Sequence, residues 1–192
     1  KGGSVKCWGS NSFGQLGYGD GLNRGDTAAT HLGAIPLVNF GSGASVSSVA
    51  VGGFHSCARL SSGSVKCWGL NNAGPLGYGP ALSPQPFAIA APPLEAGLSV
   101  DLPRNVVDLQ VGMVHTCALA GTPQPKVYCW GQDSDAITPG LFTFIKSMAA
   151  GGGQLGYGAA VGRVGETQTP AQQGAVPLRD SPVVRLGVGM FH

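Results

Sequence analysis

The sequence predicts an all-β protein, an incomplete β-propeller assembled from copies of one unit, and three observations lead there. His55-Ser56-Cys57-Ala58 returns as His115-Thr116-Cys117-Ala118, 60 residues further on. Each period holds four short strand-like runs punctuated by glycine, the pattern of a propeller blade or a similar array. Glycine supplies 33 of 192 residues and charged residues only 10%, yet hydrophobic residues reach 43%, so turns are dense and a core can still form.

The central unit runs from Val49 to Gly79. Val49 and Val51 alternate as one face of a strand, and Gly52-Gly53 breaks the run. Two extended segments follow, His55 to Leu60 and Ser64 to Trp68, joined by Ser61-Ser62-Gly63 as a tight hairpin. Pairing Leu60 with Ser64 sets Cys57 directly opposite Cys67, within reach of a disulfide. Leu76-Gly77-Tyr78-Gly79 reads as a close contact, its glycines marking where backbone passes backbone.

The remaining chain consists of copies and connections. Gly3-Ser4-Val5-Lys6-Cys7-Trp8-Gly9 repeats Gly63 to Gly69, and Gly14 to Gly19 repeats Gly74 to Gly79, with no strand ahead of Cys7 to pair it. Cys7 is therefore expected to be unpaired. Asp20 to Ser45 is a connection, and a second, proline-rich one leads from Gly79 to Val106. Met113 to Leu119 then repeats Phe54 to Leu60, and Cys129-Trp130-Gly131 closes a hairpin two residues longer than the first, opposing Cys117 to Cys129.

Trp130 is separated from the next Gln-Leu-Gly-Tyr-Gly by an extra stretch, and removing residues 134–150 restores the register of the other copies. This segment is read as an insertion. Its apolar run, with Leu141, Phe142, Phe144 and Ile145, suits a partner-binding loop, while retained intron sequence is the competing explanation. Val183 to His192 opens one more copy. The whole chain, 1–192, is thus expected to be a partial propeller cut within a repeat at both ends, and on its own to self-associate or aggregate rather than stay a monomer.

The recurring Gly-x-x-His-[Ser/Thr]-Cys-Ala, followed by Val-x-Cys-Trp-Gly and Gly-x-Leu-Gly-Tyr-Gly, resembles the repeat of the regulator of chromosome condensation superfamily. The resemblance implies seven four-stranded antiparallel blades, of which this length holds about three. The paired cysteines look like those of secreted or surface repeats in that superfamily. They favour an extracellular or cell-surface location over an intracellular one.

Chemistry is harder to find. His55, His115 and His192 recur once per unit, as structural residues do, and are expected to bond backbone at blade corners. His55, Cys57 and Cys67 give three possible zinc ligands, with no recurring fourth, so no metal site is assigned. Trp8, Trp68 and Trp130 read as packing between blades. Carboxylates are scattered, Gly-rich runs lack a phosphate-loop context, and no nucleophile elbow occurs, so neither a catalytic residue nor a cofactor site is assigned. A net charge of +2 without a basic cluster gives no sign of nucleic-acid binding, and no apolar run of about 18 residues suggests a membrane span. The reading is a non-catalytic scaffold with a protein partner. Guanine-nucleotide exchange on a small GTPase, implied by the superfamily's founding member, and a fragment without autonomous function are the alternatives.

Overall fold

The computed structural model describes residues 3–82, 87–88, 98–133, 153–158, 161–178, 182–190 and 192. They form two four-stranded antiparallel sheets, each with its strands in chain order. The first comprises β1 (Val46–Val51), β2 (His55–Leu60), β3 (Val65–Leu70) and β4 (Phe87–Ala88). The second comprises β5 (Val106–Val111), β6 (His115–Ala120), β7 (Lys126–Gln132) and β8 (Arg163–Val164). Residues 3–45 join the first sheet through the bridge Gly3 to Val46, and residues 182–190 lie beside the second, where Leu186 N–H donates to Asp108 Oδ2 at 2.9 Å. The architecture is an incomplete propeller, two whole blades flanked by parts of others.

The hairpin register follows from the turn. Leu60 N–H donates to Ser64 O at 2.8 Å, and Gly63 takes the positive φ of 84° that the three-residue turn demands. Cys57 then pairs with Cys67, Ala58 with Lys66 and Arg59 with Val65. In the second sheet Cys117 pairs with Cys129 despite the longer loop. Both first strands carry an irregularity at the same repeat position, between Val46 and Ser48 and between Val106 and Asp108.

The alternation expected at Val49 and Val51 holds, but these two valines lie on the exposed side of β1, 44% and 70% accessible. Their counterparts Leu109 and Val111 in β5 are buried. The difference comes from the neighbour. The first sheet packs on the leading face of the second, so that Cys57, Val65, Cys67 and Leu76 share one core with Leu109, Val111, Cys117 and Trp130. No described element covers β1 in that way.

A single helical turn, α1 (Pro170–Gln173), interrupts the connection after β8. Thr169 caps it, its hydroxyl accepting from Gln172 N–H while the Gln172 side chain accepts from Thr169 N–H.

The sulfurs of Cys57 and Cys67, and of Cys117 and Cys129, lie at disulfide distance, 2.10 Å in each pair, whereas Cys7 has no sulfur partner. Because each bridge closes a short loop, each is expected to stabilise the fold by only about 2–3 kcal/mol. Non-reducing peptide mapping of protein made in an oxidising compartment is expected to recover both bridges with Cys7 free. Five free thiols there would refute the pairing.

Candidate interaction surfaces

The seam between consecutive units is built from one repeated contact. Trp68 Nε1 donates to Gln15 O at 2.8 Å, and Ser56 Oγ donates to the same carbonyl at 2.9 Å. One period later Trp130 Nε1 donates to Pro75 O at 2.9 Å and Thr116 Oγ1 donates to it at 3.0 Å. Each unit thus places an indole and a hydroxyl on the turn carbonyl of the unit before it. Both indoles are almost fully buried. The polar handle of each Trp is satisfied where its ring is dehydrated, as a buried indole requires.

His55 joins the second seam. Its Nε2 lies 2.8 Å from Thr116 Oγ1, and since that hydroxyl gives its proton to Pro75 O, Nε2 carries the hydrogen. The sequence reading gave this ring a backbone partner. The Met113 backbone does act on the ring by a hydrogen bond, and the shortest contact adds a side chain of the next sheet. Stacking of the sheets, which local sequence does not specify, sets position 116 over position 55. Burial holds the ring neutral, with a pKa pushed down to about 3, and the neighbouring His115 adds to the effect.

Within each unit two further contacts recur. The Tyr78 hydroxyl accepts from Cys67 N–H at 2.9 Å and donates to Cys67 O at 3.1 Å; Tyr18 does the same at Cys7, with both distances 3.0 Å. Tyr157 donates to Cys129 O at 3.1 Å. Asn11 Oδ1 accepts from Leu16 N–H at 2.9 Å and Asn71 Oδ1 from Leu76 N–H at 3.4 Å, while Asp133 Oδ1 accepts from Leu155 N–H at 2.9 Å. In the third copy Tyr157 and Cys129 stand 28 residues apart instead of 11, and Asp133 and Leu155 stand 22 apart instead of five. The same contacts therefore close across the longer segment. The apolar residues Leu141, Phe142, Phe144 and Ile145 within that segment lie outside the described residues.

A groove of about 690 Å³ opens beside the second sheet. Its walls include Val107, Leu119, Pro123, Pro125, Leu178 and Val184, with Val107, Leu178 and Val184 all well exposed. At the first junction Arg59 spans the corresponding place, its Nη1 donating to Val106 O at 3.1 Å. Leu119 occupies the repeat position of Arg59 and offers no such donor. The sequence reading missed this groove. Its one local signal was the proline-bearing, longer hairpin loop Thr122-Pro123-Gln124-Pro125.

Four-stranded blades stacked through a recurring indole–carbonyl seam define a propeller repeat protein. Residues 2–59 and 46–74 each match the Regulator of chromosome condensation (RCC1) repeat, and the chain belongs to that repeat superfamily. It is similar to the human probable E3 ubiquitin-protein ligase HERC6, 30% identical over 193 residues that cover 98% of this chain and 15% of that protein. It is 42% identical over 77 residues to the human probable E3 ubiquitin-protein ligase HERC3, covering 39% of this chain and 6% of that one. The chain spans 15% or less of the length of these curated relatives. Among solved structures, human WBSCR16 aligns with a TM-score of 0.58 at 18% identity, over 88% of this chain and 33% of its own. Prp20p of Saccharomyces cerevisiae, a protein described with its binding to Gsp1p and histones, aligns with a TM-score of 0.55 at 18% identity, over 84% of this chain and 33% of its own. At that identity the two structures speak to fold alone.

Proposed function

We propose that this chain serves as a non-catalytic interaction platform that binds a protein partner through surfaces outside the repeat consensus. The observation that carries the reading is the apolar groove between the β6–β7 hairpin loop and residues 175–178 and 182–184, where exposed Leu178 and Val184 stand beside Pro123 and Pro125. Clustered exposed apolar residues on loops mark contact sites more often than structural ones. The segment bearing Phe142 and Phe144 is a second contact in this reading. An extracellular or cell-surface setting is part of the proposal, supported by the two cysteine pairs at disulfide distance.

The test compares variants against partners recovered by cross-linking from the native compartment. Leu178→Ser with Val184→Ser is expected to leave the hairpins folded and to weaken capture of a specific partner by about tenfold or more. Phe142→Ser with Phe144→Ser is expected to act in the same direction. Unchanged capture by both double variants would remove these surfaces from consideration. Acceleration of nucleotide release from a small GTPase by the chain would replace the reading with exchange activity.

A further inference from the structure

The Cys57–Cys67 pair lies on the face of its hairpin that the second sheet covers. Side chains alternate along β2, so His55, Cys57 and Arg59 turn to the second sheet, while Ser56, Ala58 and Leu60 turn to the unit before. Both cysteines are wholly inaccessible and share one core with Leu109, Ala118 and Trp130 of the second sheet. The same face carries a tie to that sheet at each end of the pair. On one side of Cys57 the His55 Nε2 meets Thr116 Oγ1 at 2.8 Å, and on the other Arg59 Nη1 donates to Val106 O at 3.1 Å. Alongside β3, the Tyr78 hydroxyl occupies both backbone polar groups of Cys67, and Val100 N–H donates to Val65 O at 2.8 Å. The hairpin alone sets the two sulfurs opposite each other, whereas what covers them belongs to the next unit. During synthesis that cover, one period further along, follows by several seconds at about 5–20 residues per second. The bridge therefore has time to form on a bare hairpin.

We propose that docking of the second sheet makes this bridge a redox lock, which a thiol reductant reaches only when the two sheets part. The His55–Thr116 and Arg59–Val106 contacts are the closures at its two ends. Reduction by dithiothreitol begins when one reagent thiolate attacks a cysteine sulfur and the other cysteine leaves as thiolate. The reagent's second thiolate then displaces the first cysteine, so the reagent is oxidised and both cysteines are reduced. A stacked sheet leaves no path for the first attack, because neither sulfur meets solvent. A chain bridged in an oxidising compartment therefore keeps this bridge after transfer to a reducing one, with or without a partner. The lock goes beyond the platform reading and stands on the cysteine pairing and the seam alone.

Timed reduction of the oxidised 192-residue chain tests this. Dithiothreitol is added in buffer or in denaturing urea, free thiols are alkylated at intervals, and peptide mapping reads each bridge separately. In buffer, reduction of Cys57–Cys67 is expected to be about 100-fold or more slower than in urea. Arg59→Leu, which copies the residue at position 119, is expected to speed reduction of this bridge about tenfold and to leave that of Cys117–Cys129 unchanged. Should Arg59→Leu fail to fold, Thr116→Val releases the other closure and is expected to give the same selective gain. A general loss of stability would speed both bridges instead. Reduction of the wild-type bridge in buffer at the rate seen in urea overturns the proposal, as does a folded variant that speeds both bridges alike or neither. Free thiols at Cys57 and Cys67 before any reductant is added refute the pairing itself, and the lock with it.

Discussion

Acidification from pH 7 to pH 4 is expected to destabilise the chain by several kcal/mol, through two histidines that the fold keeps neutral. Burial pushes the pKa of His55 down to about 3, with the His115 ring adding to the effect and the Met113 backbone opposing it. Burial likewise pushes His115 down to about 4; His192 lowers it by charge and raises it through its backbone, and Asp133 raises it. In the unfolded chain both rings bind protons near pH 6.5. Below that value the unfolded state takes up protons that the folded state refuses, so stability is full above about pH 6.5 and falls as the pH drops toward the folded values. At roughly 1.4 kcal/mol per pH unit, each ring contributes about 3 kcal/mol of loss by pH 4. The hydrogen-bond chain explains why the His55 ring does not adapt easily. His55 Nε2 already donates to Thr116, so the second proton would go to Nδ1, a fully buried atom with no described partner. Urea midpoints measured between pH 7 and pH 4 should trace this slope. The His55→Gln, His115→Gln double variant should flatten it, whatever its absolute stability. A wild-type profile flat over that window would refute the assignment.

Trp130→Ala is expected to cost about 3–5 kcal/mol, as truncation of a buried Trp does, because the fully buried indole fills the space between the two sheets. Its removal also strips one of two donors from Pro75 O, leaving Thr116 alone on that carbonyl. Trp8→Ala should change the stability of the monomer by no more than about 0.5 kcal/mol, since that ring is mostly in water. Denaturant unfolding of the two variants below the association threshold gives the comparison. Equal costs would mean that the seam contact is not what holds the blades together.

These two tryptophans also show where reading the sequence stops. Trp8 and Trp130 sit in almost the same local sequence, each after a repeat cysteine and before a glycine, and periodicity assigns them one role. What separates them, among the described residues, is that a turn carbonyl and a glycine lie against Trp130 while Trp8 is mostly exposed. The same holds for Val49 and Val51 against Leu109 and Val111: alternation places both pairs on one face of a strand, and only a packed neighbour decides whether that face is wet. The His55 ring meets Thr116, 61 residues away, across a sheet boundary that no local pattern encodes.

What the sequence determined by itself is local. The turn at Ser61-Ser62-Gly63 sets the hairpin register, the register opposes Cys57 to Cys67, and the recurrence of the same residues a period later carries the argument to Cys117 and Cys129. The fold family follows from that recurrence, because a unit that cannot bury its own faces must stack on copies of itself. Only the tertiary structure decided the groove, which opens where Leu119 replaces Arg59 and the arginine's tie to the next strand is lost. Register comes from covalent spacing within one hairpin, whereas burial depends on what a distant part of the chain, or another chain, brings against it.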